Sequence, residues 1–510
     1  MYDQGQRLPQ DFYRLYDAVV SQVLHKRYLT ENERDRVRFR LEAIALGMHW
    51  GGGKRETPAA EVGTDEIDRH LADYKRDDPT IQTGAFDAAQ TREDLLSDSG
   101  LLLPRSGGRA AFYHLSFQEF LAAVRLKRIA LSLAEVLARH ASTPAWRRTL
   151  TFLFCTIADR DSPKAALDGL ASLLPTLEPG RLEQDPNPAL LLADCLEVAH
   201  GRGWNLEQFA GHFKRACDHA LGHLNPPERA HLWRTLGSLG WDDRPWVGLQ
   251  PDRLGLGDRV GLIPDIAWVE VPAGPFRYGN KKQQITLPAF RIARYPVTNV
   301  QFQCFINDGG YEDEHWWEGL AENPLSSGDG WTRAGRWNGP NLPREHVSWY
   351  EAVAFCRWLT AKLQEHGLLA EAMTVRLPTE QEWEKAARGD EGRKFPWGDD
   401  FQSGRANINE TYGNAGSYYL GQTTVVGIYP LGTSPYGLLD MSGNIWEWCL
   451  NEYSQPKQIG TESDKPRVLR GGSWLDFQDL ARCAYRDDSR PDYRDYDLGF
   501  RLVCCVSPPS

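Results

Sequence analysis

Residues 475–497 concentrate side chains able to make directional contacts: Leu475, Asp476, Phe477, Asp479, Leu480, Asp487, Asp488, Ser489, Asp492, Tyr493, Asp495, Tyr496 and Asp497. Tyrosine and phenylalanine offer large contact area at small entropic cost, and Asp and Ser tips add hydrogen bonds, as binding loops do. Between them runs text of a different character: Ala481 to Arg486, Pro491, Arg494 and Leu498 to Arg501, which read as frame. Seven Asp against four Arg over 475–497 (seven minus four) leave a charge of −3. Charge complementarity then favours a basic or hydroxyl-rich ligand. A solvated acidic loop is the competing reading.

Other chemistries are poorly served. Cradling a nucleotide's phosphates takes G-x-x-x-x-G-K-[ST], with backbone N–H groups, a lysine and a hydroxyl for Mg²⁺. The only lookalike is Gly51-Gly52-Gly53-Lys54-Arg55, where Arg55 replaces the hydroxyl and Met48 the first glycine. A loop after a helix explains it better, and nucleotide hydrolysis by this chain alone is not expected. The nine cysteines form no C-x-x-C pair and suit reduced thiols. Cys504 and Cys505 are adjacent on a strand, so their side chains point to opposite faces, a poor pair for one metal.

The elements that position these groups follow from composition and periodicity. At 510 residues the chain exceeds what one core organises, roughly 250–300 residues, so several domains are expected. Fifty-eight Lys+Arg against 69 Asp+Glu, net −11, argue against nucleic acid or an anionic membrane as main partner. No apolar run approaches the roughly 18–20 residues of a membrane span, and the opening Met1-Tyr2-Asp3-Gln4 lacks a signal segment. The expected location is cytoplasmic. Phe12, Leu15, Tyr16, Val19, Val20, Val23 and Leu24 form a helical stripe, and helical text continues over 34–50, 131–157, 164–174, 188–200, 205–221 and 226–238. Leu101–Leu103, the turn at 106–108 and Arg109–His114 read as a hairpin, and Ser116 with Glu119 as the capping box of a following helix. Residues 241–264 hold three prolines and several glycines and mark a boundary. Beyond it lie 12 of the 18 tryptophans, strands expected at Trp268–Val271 and Gln284–Leu287, and helices capped by Ser348 with Glu351 and by Thr379 with Glu382.

Two resemblances sharpen this outline. Leu8-Pro9, the helix carrying Leu15 and Tyr16, the hairpin and Ser116-Phe117-Gln118-Glu119-Phe120-Leu121-Ala122-Ala123 resemble the winged-helix-like region after the core of NACHT signalling NTPases. The second series is ordered: Val271-Pro272-Ala273-Gly274, Tyr295-Pro296-Val297-Thr298-Asn299, His346-Val347-Ser348-Trp349, Arg376-Leu377-Pro378-Thr379-Glu380, Phe395-Pro396-Trp397-Gly398, Asp440-Met441-Ser442-Gly443-Asn444-Ile445-Trp446-Glu447-Trp448, Arg470-Gly471-Gly472-Ser473-Trp474 and Gly499-Phe500-Arg501. It resembles the formylglycine-generating enzyme (sulfatase-modifying) family. The expected architecture is multidomain: an all-α N-terminal half, with a winged-helix-like region over 1–130 and helices over 131–258, then an α+β, C-type-lectin-like domain over 259–510.

The second resemblance implies copper held by two cysteines just after the Gly-Gly-Ser-aromatic motif. Thiolates suit Cu(I), but residues 471–481 contain no cysteine, and Cys483 resembles a structural one. A related oxygenase group uses three histidines on iron, and only His315, His346 and His366 follow residue 260. The reading is therefore a chain that is not an enzyme and requires no cofactor. Calcium suits oxygen donors at the family positions Asn407, Ile408, Asn444 and Glu447, unless Asn444 caps a turn and Glu447 pairs with an arginine. Residues 475–497 resemble the variable region of retroelement-diversified proteins that share this lectin-like fold. The function expected is ligand recognition at that surface, of a protein or other macromolecule, coupled through residues 1–260 to a separate signalling or defence NTPase. The rivals are a formylglycine-type oxidase acting on protein cysteine and a structural arm of an NTPase complex.

Overall fold

The apolar stripe near the start does form a helix, α1 (Phe12–Arg27), but Tyr13, Tyr16, Val20 and Leu24 face inward while Leu15 stays half exposed. The computed structural model describes residues 12–51, 55, 57–77, 86–129, 132–250, 263–321 and 335–506. Leu8-Pro9, Gly52 to Lys54 and much of the 241–264 boundary text lie outside the described residues. The chain divides into two compact units, Met1–Ala216 and Cys217–Ser510.

In the first unit α2 (Glu31–Trp50) starts at a Thr30/Glu33 capping box and ends at Gly51, whose φ of 56° is left-handed. Then follow β1 (Val62–Gly63), α3 (Thr64–Asp77), α4 (Ala88–Asp98), β2 (Leu102–Arg105), β3 (Arg109–Phe112) and α5 (Leu115–Arg128). The expected hairpin is β2–β3, in register from Leu102 opposite Phe112 to Arg105 opposite Arg109. Gly107 and Gly108 take φ of 71° and 66° at its turn, where a side chain would be strained. Strand β1 joins on the far side of β3, giving a three-stranded wing beside α5. Helix α5 buries Phe120 to Val124, and Tyr16 meets the rings of Phe117, Phe120 and Phe152.

Ser116 is not the cap that its spacing suggested. His114 caps α5, its Nδ1 accepting from the Ser116 N–H, and the Ser116 hydroxyl accepts from Arg148 instead. The helical text over 131–157 breaks into α6 (Leu133–His140) and α7 (Arg147–Arg160), because Pro144 opens a 3-10 turn between them. Next come α8 (Pro163–Leu170), α9 (Pro179–Leu182), α10 (Asn187–Gly201), α11 (Glu207–His223) and α12 (Pro226–Ser238). The division at 216/217 falls earlier than a 258/259 boundary and assigns α12 to the C-terminal unit. The reason is visible in its bonds: Asn341 donates to the Trp233 carbonyl at 3.1 Å, and the Trp233 indole donates to the Cys217 carbonyl at 2.9 Å.

The second unit continues with β4 (Trp268–Val271), β5 (Gly274–Tyr278), β6 (Gln283–Leu287), β7 (Phe290–Ala293), α13 (Asn299–Asn307), α14 (Trp349–Glu365), β8 (Met373–Arg376) and α15 (Glu380–Arg388). After them come β9 (Trp446–Glu452), β10 (Arg467–Arg470), β11 (Asp487–Ser489), β12 (Leu498–Gly499) and β13 (Val503–Val506). They build small sheets of order β4-β7-β13-β8, β11-β10-β9-β12 and β5-β6. Both expected capping boxes are present, Ser348/Glu351 on α14 and Thr379/Glu382 on α15. Between α15 and β9 the backbone forms two 3-10 turns and otherwise loop. Loops leave carbonyls that no ladder satisfies, and buried arginines supply the donors. Arg501 is fully buried, grips Glu447 through two bonds of 2.6 and 2.7 Å, and donates to the carbonyls of Ala293, Arg294, Leu439 and Asp440. Arg470, Glu384 and Arg388 form a second buried chain, with ion pairs of 2.5 and 2.6 Å.

Candidate functional site

Two left-handed glycines, Gly471 (φ 100°) and Gly472 (φ 71°), turn the chain out of β10 ahead of Ser473 and Trp474, both of which are buried. A Cβ on Gly472 meets the Ala481 backbone, so the turn admits little else. Asp476 closes the turn by accepting from the Ser473 N–H at 2.9 Å and hydroxyl at 2.8 Å. Asp497 reaches the same serine, and its own carbonyl accepts from Trp446 N–H at 2.7 Å. Burial raises the Asp476 carboxyl above its ordinary range and lifts Asp497 to about 6, with the charges of Asp495 and Asp476 adding to the latter shift.

None of the thirteen sequence-selected residues is buried. Leu475, Asp479, Asp488, Tyr493 and Tyr496 are exposed, and Asp476, Phe477, Leu480, Asp487, Ser489, Asp492, Asp495 and Asp497 are half-buried. The interleaved Ala481, Cys483, Ala484, Pro491, Leu498, Gly499 and Phe500 are all buried. The frame arginines are tied down: Arg486 to Glu380 at 2.5 Å, and Arg494 to Glu351 at 2.6 Å. Asp487 to Ser489 form edge strand β11, with Asp488 opposite Val468. Phe477 lies 4.9 Å from the Tyr412 ring, and Tyr493 donates to Asp495 at 2.6 Å.

Folding adds neighbours that the linear reading missed. Tyr496 stacks on His346 with centroids 5.1 Å apart, and the His346 N–H donates to the Asp495 carbonyl at 2.9 Å. Glu345, fully buried, accepts from Trp337 N–H at 2.9 Å. Burial pushes the Glu345 carboxyl up to about 7, and the nearby Asp497 charge adds to the shift. The Trp337 ring meets Trp474 edge-on at 6.5 Å, and Tyr419 stacks on Trp474 at 6.4 Å. His346 and Trp474 stand in the ordered motifs of the sequence, whereas no local signal marks Glu345, Trp337 or Tyr419, which come from segments distant from 475–497.

The oxygen donors singled out for calcium mostly have protein partners, although Asn407 Oδ1 is buried with no partner among the described residues. Both Glu447 oxygens bind Arg501, and one also accepts from the Trp383 indole at 2.7 Å. The Asn444 Oδ1 accepts from Thr424 N–H at 2.9 Å and from Asn407 Nδ2 at 3.2 Å. The Asn407 carbonyl accepts from Asn444 N–H at 2.8 Å, and Ile408 is packed in a small apolar cluster. Asn444 itself holds φ at 73°, a turn conformation.

A sulfur-bound copper does not fit these residues. Positions 471–481 bring no thiol to the turn, and Cys483 is fully buried with its thiol pushed up to about 12. Three-histidine iron fits no better among the three histidines that follow residue 260. His315 is exposed beside Glu318, His366 turns its Nδ1 onto the Lys362 carbonyl, and His346 lies under Tyr496.

Comparison with known proteins completes the picture. Residues 14–126 match the winged helix-turn-helix domain C-terminal to NACHT, and residues 264–506 match the sulfatase-modifying factor enzyme 1-like domain. A hercynine oxygenase of Mycolicibacterium thermoresistibile is 33% identical over 325 residues, 56% of this chain and 68% of that one. The formylglycine-generating enzyme of Mus musculus is 30% identical over 291 residues, 46% of this chain and 74% of that one. A solved structure, Treponema denticola variable protein 1, aligns over 47% of this chain and 95% of its own at 25% identity, with a TM-score of 0.34. The chain spans about half to two thirds of the length of the hercynine oxygenases it matches.

These relatives correct one expectation. A chain that is not an enzyme was inferred from missing copper cysteines and a missing phosphate loop, yet relatives at 33% and 30% identity bear the names of enzymes. Missing one ligand set excludes that chemistry alone. The fold class stands: a helical N-terminal half with a winged helix, and a strand-rich, C-type-lectin-like C-terminal domain. With the ordered motifs, the Arg501-centred frame and the match over 264–506 in agreement, this chain belongs to the sulfatase-modifying factor enzyme 1-like family.

Proposed function

We propose that the C-terminal domain recognises a macromolecular ligand on the surface built by 475–497, and that the winged-helix-bearing unit couples this event to a separate signalling NTPase. One observation carries the reading: none of the selected contact residues is buried, while Ala481, Cys483, Ala484 and Pro491 between them are buried and Arg486 and Arg494 are held by ion pairs. A rigid frame that presents Tyr, Phe, Leu and Asp tips binds without a large ordering cost. The match of 14–126 to a domain found after NACHT supports the coupling. The test is binding of the full chain to peptide and glycan arrays, compared with a Leu475→Ala/Tyr493→Ala double variant. Loss of the wild-type hits is expected; the same hits at the same strength defeat the reading.

A second reading is an oxidative reaction in this domain through a metal arrangement other than the two that do not fit, and 33% identity to a hercynine oxygenase favours it. Aerobic incubation with iron(II) or copper(I), offering hercynine with a thiol or a cysteine peptide, tests it by mass spectrometry. A sulfoxide or an aldehyde product supports it, and unchanged substrates remove it.

A further inference from the structure

Four polar atoms beside the 475–497 surface are buried and have no partner among the described residues: Glu345 Oε2, His346 Nδ1, Trp337 Nε1 and Trp474 Nε1. Their residues belong to one circuit of contacts. Trp337 donates to Glu345, Glu345 feels the charge of Asp497, and Asp497 and Asp476 share Ser473. Trp474 follows that serine and returns to Trp337 edge-on, while Tyr496 covers His346. Unpaired buried polar atoms carry a desolvation cost; the Glu345 oxygen wants a donor, which a cation supplies, whereas the two indole N–H groups want an acceptor and do not themselves argue for one.

Resting on the recognition reading above, we infer that this cluster is the specific subsite of the surface and takes an organic cation, an alkylammonium or guanidinium group. Three carboxyls, Glu345, Asp497 and Asp476, supply the acceptors, and Trp337, Trp474 and Tyr496 supply π-faces of the kind that hold such groups. The chain shows the preference itself. The Arg336 guanidinium lies 5.0 Å from the Trp337 ring centroid and 5.6 Å from that of Tyr496. A bare metal ion suits the cluster less, since no three of its ligand atoms converge closely enough to share one.

Proton linkage follows from the same geometry. Glu345 faces Asp497 and Arg344, and the backbone amides of Arg336 and Trp337; Asp497 faces Asp495, Asp476 and Ser473; Asp476 faces Ser473, Trp446 and Asp487. His346, beside Glu345, is held below its ordinary range by burial, which disfavours a competing positive charge there. A cation lets Glu345 and Asp497 ionise, and binding tightens as pH rises from about 5 to about 8.

The test is calorimetric titration of the full chain with agmatine, N-acetyl-lysinamide and a lysine- and arginine-bearing peptide, with N-acetyl-norleucinamide as the uncharged control. Wild type is expected to bind the cations and not the control, more tightly at pH 8 than at pH 5. Asp497→Asn and Glu345→Gln are each expected to weaken binding about tenfold, and Arg336→Ala to strengthen it by removing the internal competitor. Equal binding of the control, or variants indistinguishable from wild type, overturns the inference. Should Glu345→Gln fail to fold, the half-buried Asp497 and exposed Arg336 variants decide. Tighter binding of the peptide assigns the cation to a protein side chain, and tighter binding of agmatine to a free amine. The array experiment uses Leu475 and Tyr493, which lie outside this cluster. Array hits lost in that variant with no amine binding sink the subsite alone, and amine binding without array hits sinks the macromolecular reading alone.

Discussion

Each unit buries a glutamate whose carboxyl is pushed up to about 7, Glu119 in the helical unit and Glu345 in the strand-rich one. Burial is the leading cause in both, but the surroundings differ. Glu119 sits on α5 with Arg148 at 3.3 Å, while Glu345 faces a second acid and leaves one oxygen without a partner among the described residues. The contrast extends to whole units. Helices satisfy their own backbone, so the first unit buries polar groups sparingly, as in Glu42 between Arg38 and Arg128. The loop-rich unit cannot, and relies on buried arginines such as Arg501, Arg470 and Arg467, the last donating to the carbonyls of Leu450, Gly460 and Ser463. A fold held this way can keep rigid loops, and rigid loops can display contact residues.

The largest expected effect breaks the comparison at its hub. Arg501→Met leaves Glu447 buried without its ion pair, and such losses cost about 3–5 kcal/mol. Denaturant melts should show the C-terminal unit failing first. Arg128→Met, where Arg38 still pairs with Glu42, should cost about 1 kcal/mol; equal losses in the two units would erase the distinction drawn here.

Next in size is pH. Glu119 and Glu345 hold their protons more tightly folded than unfolded, rising from 4.5 to about 7. Their contribution to stability is therefore full below pH 4.5 and is lost as pH climbs to about 7, by up to about 3 kcal/mol each. Urea titrations across that window should lose part of this slope in Glu119→Gln and in Glu345→Gln. A flat profile in wild type contradicts it.

Smaller still are the capping boxes. Thr30→Ala on α2 should cost about 1 kcal/mol. Thr379→Ala on α15 should cost somewhat more, because Glu382 also holds Arg376 through two bonds of 2.7 Å. Thermal melts of the two variants compare them directly. Last, Tyr493→Ala should shift stability by less than about 0.5 kcal/mol. A larger loss would mean that this residue belongs to the frame.

Much of the frame was legible. The spacing of Ser348 with Glu351 and Thr379 with Glu382, the Gly-Gly turn at 107–108 and the alternating strands are local signals, and local signals survive into structure. Ser116 shows the limit: its spacing to Glu119 is that of a capping box, but Arg148 claimed its hydroxyl and His114 took the cap. Glu447 shows it again: its spacing left both an ion and an arginine open, and the arginine that binds it lies 54 positions away. The text over 131–157 looked continuous until Pro144 divided it.

By itself the sequence determined the order of the elements, the family motifs and the interleaving of frame text with polar and aromatic text over 475–497, because periodicity, turn chemistry and composition act over a few residues. Only tertiary structure decided where Glu345, Trp337 and His346 stand relative to Asp497. Burial and long-range electrostatics depend on which distant segments meet, and those meetings set each carboxyl's charge.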